Sequence, residues 1–116
     1  MPNTNRPMIS THVLDTTRGL PAAGVTVTLW RLDGKVPLGS QQTDRDGRIG
    51  DVAAGQALER GSYRMAFDVG AYYRGKGEAD IFLQRMTLDI EINDLSRRYH
   101  IPLLMSPYSC VSYRGS

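Results

Sequence analysis

The chain has 116 residues, of which 22% are charged and 41% hydrophobic, and its formal net charge at pH 7 is +2. This length and composition predict one globular domain over residues 1–116, with residues 1–7 as a flexible N-terminus. The weak, scattered positive charge argues against nucleic-acid binding. No apolar run approaches the roughly 20 residues of a membrane span, so no membrane partner is expected. A single cysteine excludes an intrachain disulfide.

The start of the chain bears on its compartment. The opening MPNTNRPM is polar and lacks the apolar segment of a secretory signal. This predicts the cytoplasm, while the periplasm stays open if a signal peptide was removed.

Hydrophobic and polar residues alternate along several short segments. In chain order these segments are MISTHVLD (8–15), VTVTLWRL (25–32), YRMAFDV (63–69), MTLDIEIN (86–93) and RRYHIPLLM (97–105). Alternation with a period of two predicts half-buried antiparallel strands. Helical signals are weaker: VGAYYRG (69–75) predicts one or two turns, and DVAAGQALER (51–60) has helix formers around a glycine.

Turn signals separate the predicted strands. The segments LDGK (32–35) and RDGR (45–48) contain Asp-Gly pairs, which supply the positive backbone angles of tight hairpin turns. Pro102 and Pro107 predict that the last strands are edge strands or broken ones. Seven or eight short strands with such punctuation predict an all-β sandwich.

The two histidines, His12 and His100, both lie mid-strand, near opposite ends of the chain. Alternation places each of them opposite a more apolar face. Taken alone, this pattern is typical of half-exposed strand histidines. A catalytic site requires that they converge, which happens if the first and the penultimate strands are neighbours in the sandwich.

The spacing of the potential ligands argues against two kinds of metal site. His12, His100 and Cys110 supply three zinc ligands on paper, but no pair of them has the close spacing of a zinc motif. TDRDGRIGD (43–51) resembles a calcium loop, yet the bidentate carboxylate position holds Ala53. We therefore predict no metal and interpret Asp46-Gly47 as a turn, after which Arg48 can project toward a ligand.

The chain ends in Tyr113-Arg114-Gly115-Ser116, directly after a strand-like run. Gly115 permits close approach of the backbone to another group. The terminal carboxylate places a negative charge near Arg114. This composition suggests that the terminus takes part in a site.

Four stretches in order carry a family resemblance that covers nearly the whole chain: STHVLD, the DGR turn, YHIPLLMSPY and the closing YRGS. With them, the chain resembles the 5-hydroxyisourate hydrolases, the transthyretin-like enzymes of urate breakdown. The closing YRGS is the mark that separates these enzymes from transthyretin, a hormone carrier of the same fold.

The resemblance implies a transthyretin-like sandwich of two four-stranded sheets with one short helix. It also implies a homotetramer, a dimer of dimers, with sites in a channel where subunits meet. The substrate would be 5-hydroxyisourate, opened at its six-membered ring to 2-oxo-4-hydroxy-4-carboxy-5-ureidoimidazoline. The residues carried over to the site are His12, Arg48, His100, Tyr113, Arg114, Gly115 and Ser116.

Roles follow from the chemistry of these groups, and no cofactor is expected. His12 and His100 would activate water and shuttle protons, without a choice of which abstracts the first proton. Arg48 would bind the substrate's carbonyls and anionic edge in a fork. The Ser116 carboxylate would orient a histidine or the water, and Tyr113, Arg114 and Gly115 would contribute to substrate binding.

Two other functions remain open on the sequence. A transthyretin-like carrier would use the same channel for a small ligand without catalysis, and would line it with apolar and small polar groups. A structural or adhesive sandwich would leave the histidines and arginines apart.

Overall fold

The computed structural model describes residues 7–115. Within them the chain forms nine strands and one short helix, α1 (Val69–Gly75). The strands are β1 (Met8–Asp15), β2 (Leu20–Pro21), β3 (Thr26–Arg31), β4 (Gly39–Gln42), β5 (Arg48–Ile49), β6 (Gly61–Phe67), β7 (Met86–Ile92), β8 (Arg98–Met105) and β9 (Cys110–Ser112). In this range no helix has the length and apolar character needed to cross a membrane.

The strands form two sheets. One has the order β2-β1-β8-β9, with β5 also pairing with β1, and the other has the order β4-β3-β6-β7. β1 and β8 run parallel, from Met8 opposite Arg98 to Asp15 opposite Met105. Since β1 opens the described range and β8 comes near its end, this pair brings the first and the penultimate strand of that range side by side.

The core lies between the two sheets and follows directly from the alternation. Along β1, Ile9, Thr11, Val13 and Asp15 are buried, whereas the residues between them lie on the outer face and are half-buried. β8 repeats the pattern in register, with its odd-numbered residues buried. One face of this sheet is therefore used for packing, and the other is free to carry polar side chains.

A buried carboxylate fastens α1 to this sheet. Asp15 accepts hydrogen bonds from the hydroxyls of Tyr72 at 2.9 Å, Tyr73 at 2.8 Å and Thr17 at 2.6 Å. Arg18 adds a bond to the same carboxylate at 3.1 Å. Burial by itself raises the pKa of Asp15, but these hydrogen bonds outweigh it and lower the pKa to about 2.

The predicted all-β sandwich of two sheets with one short helix is confirmed. The predicted helix over 69–75 is present, whereas in 51–60 only residues 52–55 form a turn and the others are irregular. Two strands of two residues, β2 and β5, enlarge one sheet beyond the four strands expected. The β1–β8 pair is parallel rather than antiparallel. The second sheet lies between these strands in the chain and supplies the long crossover connection that a parallel pair needs. The assignment of residues 1–7 to a flexible N-terminus stays a prediction, and residues 1–6 lie outside the described range.

The prediction of an edge strand at Pro102 is wrong, because β8 lies between β1 and β9. The alternative prediction, a broken strand, is also wrong, because β8 is continuous from Arg98 to Met105; only its pairing with β9 is interrupted. Regular pairing with β9 stops at Leu103 opposite Ser112. The Ser112 hydroxyl then donates to the Pro102 carbonyl at 2.7 Å. The missing proline N–H thus falls where the ladder is already interrupted, so a proline is tolerated in an interior strand.

Candidate functional site

The register of β1 places His12 beside Arg48. His12 lies directly opposite Arg48 in the antiparallel β1–β5 pair. Directly opposed residues share one face of a sheet with Cβ atoms about 5 Å apart. His12 is half-buried and Arg48 exposed, so the imidazole and the guanidinium are neighbours on the outer face.

The parallel register of β8 brings the second imidazole to the same face. His100 lies opposite Ser10, and His12 lies opposite Pro102. The two histidines are therefore diagonal neighbours, with backbone positions about 8 Å apart from the strand spacing and the rise per residue. The Ser10 hydroxyl oxygen lies 2.9 Å from Nδ1 of His100.

A tight turn delivers Arg48 to this place. The Asp44 carboxylate accepts the backbone N–H groups of Asp46 at 2.9 Å and Arg48 at 3.0 Å. These backbone bonds, that from Arg48 first, lower the pKa of Asp44. Gly47 has φ 75° and its carbonyl accepts the Val13 N–H at 2.7 Å. A Cβ at Gly47 would collide with the Val13 carbonyl oxygen, so only glycine permits this close approach to β1.

The end of the described chain returns to His100. The Gly115 N–H donates to the His100 carbonyl at 2.7 Å, forming an isolated antiparallel bridge. A Cβ at Gly115 would lie 2.9 Å from Cδ2 of the His100 ring, so glycine is needed for this contact. Ser116, also predicted in the site, lies outside the described residues.

Tyr113 and Arg114 point elsewhere. Both are exposed, and they line a groove of about 290 Å³ at the open edge between β7 and β8, together with Leu88, Ile90 and Glu91. Within one chain the structure therefore brings together His12, Arg48, His100 and Gly115, and it separates the side chains of Tyr113 and Arg114 from them.

Electrostatics favour a neutral His100. Burial lowers its pKa, and the neighbouring His12 and Arg48 lower it further. Because an ordinary histidine has a pKa near 6.5, a lowered value keeps the ring uncharged at pH 7. An uncharged imidazole has one nitrogen lone pair, which is what a general base requires.

The three residues of the zinc alternative do not come together. Cys110 lies opposite the buried Met105 and so shares the inner side of the sheet, whereas both histidines lie on the outer side. Within residues 7–115, no group of three or more potential His, Cys, Asp or Glu ligands forms a metal-sized cluster.

Sequence reasoning missed two residues that build the site, Ser10 and Asp44. Alternation had already placed Ser10 on the face of His12, but its contact with His100 required the β1–β8 register. Asp44 lies in the segment that resembles a calcium loop, but its carboxylate closes the turn that carries Arg48.

Comparison with known proteins identifies the family of this chain. A profile of the HIUase/Transthyretin family matches residues 9–115. The chain belongs to this family. Its members include the 5-hydroxyisourate hydrolase of Deinococcus radiodurans, which is 43% identical over 115 residues, covering 95% of this chain and 97% of the relative.

Solved structures of the HIUase/Transthyretin fold include both kinds of protein. The Klebsiella pneumoniae 5-hydroxyisourate hydrolase superposes with a TM-score of 0.85 at 33% identity, covering 95% of this chain and 99% of that one. Sea bream transthyretin in complex with thyroxine superposes with a TM-score of 0.83 at 26% identity, covering 92% of this chain and 93% of the transthyretin chain. These superpositions confirm the transthyretin-like fold, which the chain shares with both proteins.

Proposed function

We propose that this protein is an enzyme that hydrolyses 5-hydroxyisourate in urate degradation. It opens the six-membered ring to 2-oxo-4-hydroxy-4-carboxy-5-ureidoimidazoline. The observation that carries the proposal is the placement of His12, His100 and Arg48 on one sheet face, in a chain that is 43% identical to a relative named 5-hydroxyisourate hydrolase.

The site offers the groups that ring opening needs. A neutral histidine takes a proton from water as the water oxygen adds to an amide-like carbonyl carbon, and the carbonyl π electrons move to its oxygen. Arg48 binds the developing oxyanion and the anionic edge of the substrate with its forked N–H donors. The carbonyl then re-forms, the C–N bond breaks, and the imidazolium returns its proton to the departing ring nitrogen.

The chain terminus completes the pocket in this proposal. Gly115 already contacts His100 through its backbone, so the residues around it are within reach of the site. Tyr113, Arg114 and the Ser116 carboxylate are assigned to the pocket wall. Since Tyr113 and Arg114 face the edge groove of their own chain, they serve that role at a contact between subunits.

Assembly into a homotetramer, a dimer of dimers with sites at subunit interfaces, forms part of the proposal. Apolar side chains on the same outer face support it: Val111 is 54% exposed, and Leu14 and Leu104 are half-buried. Exposed apolar groups beside a polar site favour a contact between copies. Sedimentation equilibrium should give about four times the 12.9 kDa chain mass, and a monomer mass would contradict this.

The cytoplasm remains the proposed compartment.

The carrier function fits less well. A channel for an apolar ligand gains affinity from apolar lining, whereas two imidazoles and a guanidinium would have to be desolvated without compensation. The outer face around His12 and Arg48 therefore favours hydrolysis.

The decisive test is to generate 5-hydroxyisourate in situ with a urate oxidase and follow its absorbance. The proposed function predicts that catalytic amounts of the protein accelerate the decay, with many substrate molecules consumed per chain. Heat-denatured protein is the control. A carrier would slow the decay of 5-hydroxyisourate or leave it at the spontaneous rate. Either result would overturn the proposal.

A further inference from the structure

The His100 ring is held at two of its edges, and Ser10 holds the first. Its hydroxyl oxygen is 2.9 Å from Nδ1, and the two residues are directly opposed in the parallel β1–β8 pair. Because β1 and β8 pair over eight consecutive positions, the contact is fixed by the sheet rather than by a loop.

Gly115 holds the second edge. Its backbone packs so closely that a Cβ would lie 2.9 Å from Cδ2 of His100. In an imidazole ring, Nδ1 and Cδ2 flank Cγ on either side. The two contacts therefore leave the Cε1–Nε2 edge turned away from both neighbours, and Nε2 is the ring nitrogen available to a ligand.

We propose that Ser10 is a positioning residue: its hydroxyl oxygen accepts the Nδ1–H of His100 and holds the neutral ring in the tautomer whose lone pair is on Nε2. The catalytic consequence rests on the proposed hydrolase function. The tautomer itself is a property of the protein that can be measured without substrate.

This arrangement suits a proton carrier. Nε2 takes the proton of the attacking water, and the resulting imidazolium keeps the same Nδ1–H bond to Ser10. When the C–N bond breaks, Nε2 gives the proton to the departing nitrogen. The hydroxyl bond is unchanged in both charge states, so the ring need not rotate between the two transfers.

The groups that face the ring reinforce the assignment. His12 from β1, Arg48 from β5 and Arg98, two residues before His100 on β8, are titratable or charged residues on the outer face. His12 and Arg48 favour an uncharged His100. An uncharged ring has one N–H, and the proposal places it on Nδ1, toward Ser10. Arg114, next to Gly115, lines the edge groove instead.

The test combines nitrogen NMR on ¹⁵N-histidine-labelled protein with steady-state kinetics, for wild type and Ser10→Ala, Ser10→Thr and Ser40→Ala variants. The chain has two histidines, so a His12→Asn sample assigns the His100 ring. Ser40 is an exposed strand serine in the other sheet and controls for loss of a hydroxyl. Circular dichroism verifies the fold of each variant.

We expect wild-type His100 to bear its proton on Nδ1 above its pKa. Ser10→Ala should move the ring toward the Nε2–H form and lower kcat about tenfold, the equivalent of one ordinary hydrogen bond, with KM within twofold. Ser10→Thr should restore the tautomer and most of kcat, and Ser40→Ala should match wild type.

A proton on Nε2 in wild-type protein overturns the inference and needs no variant to observe. An Ser10→Ala protein with the wild-type tautomer overturns it as well. If the wild type opens no ring, the proposed function fails, yet loss of the Nδ1–H form in Ser10→Ala would still support the positioning role.

Discussion

At the scale of single residues, the two histidines differ in how they are held. His100 has Ser10 at Nδ1 and Gly115 against Cδ2, whereas His12 is paired through the backbone with Arg48. A ring fixed on two edges keeps its orientation through a reaction cycle. This difference makes His100 the better defined proton carrier, with His12 and Arg48 shaping its electrostatic surroundings.

The lowered pKa of His100 predicts the pH dependence of catalysis. The base must be neutral, and burial together with His12 and Arg48 lowers the pKa below the ordinary 6.5. Activity should therefore fall to half of its plateau value only at a pH below 6.5. The measurement is kcat/KM against pH, with buffer controls for substrate decay. An inflection at or above pH 6.5 would argue against His100 as the base.

The lowered pKa of His100 also makes the stability of the folded protein depend on pH. An unfolded imidazole binds its proton at the ordinary pKa, while the folded His100 binds it only at lower pH. The unfolded state therefore gains protons first as pH falls below 6.5, and the folded state loses stability there.

At the scale of elements, the turn over residues 44–48 is the part that brings a cation to β1. Gly47 combines φ 75° with backbone packed against Val13. Gly24 also has a left-handed φ, of 84°, but with open space around a Cβ.

The comparison of these two glycines gives a prediction. Gly47→Ala should lower the free energy of unfolding by about 1–3 kcal/mol from backbone strain, with a further loss from the collision with Val13. It should also reduce kcat/KM, because Arg48 moves with the turn. Gly24→Ala should carry only the strain and keep its activity. Denaturant unfolding and kinetics measure both; equal stability and equal activity in the two variants would contradict the role given to Gly47.

The contact between α1 and β1 gives a second prediction at this scale. The pKa of the Asp15 carboxyl is lowered from 3.8 to about 2. This shift corresponds to about 2 kcal/mol of folding stability, which is present above pH 3.8 and lost as the pH falls toward 2. Asp15→Asn should therefore be less stable by about that amount at pH 7 and should lack the acid dependence in this window.

Urea unfolding at pH 7, 4 and 2.5 measures this effect. Asp33→Asn is the matched control, since Asp33 is exposed in the loop between β3 and β4, and it should behave as wild type. An Asp15→Asn protein that keeps wild-type stability at pH 7 would show that the tyrosine hydroxyls find equivalent partners.

At the scale of the whole molecule, the site exists because β1 and β8 lie side by side. The alternation in MISTHVLD and RRYHIPLLM predicted which face each histidine occupies, and both faces are confirmed. Alternation does not indicate which strands are neighbours. The sequence therefore could not predict that the two histidines converge, although a catalytic site requires it. The order of strands in the sheet brings the histidines together. It also creates the contact between Ser10 and His100, which no local sequence pattern reveals.

The end of the chain illustrates the same division. The terminal YRGS suggested a site, and Gly115 does contact His100. The sequence alone did not indicate that Tyr113 and Arg114 would face the edge groove between β7 and β8. The direction of these side chains depends on where β9 stops pairing, at Ser112. Turn chemistry was readable in Asp46-Gly47, whereas the packing of Gly47 on Val13 required the complete sheet.

The central claim is that the imidazoles from the two ends of the chain perform the ring opening together. The most direct measurement is kcat for His12→Asn and His100→Asn on 5-hydroxyisourate made in situ, with the fold of each verified by circular dichroism. Loss of a positioned acid-base group predicts a fall of at least about a hundredfold in each variant. A wild-type kcat in either folded variant would remove that histidine from the mechanism and contradict the account.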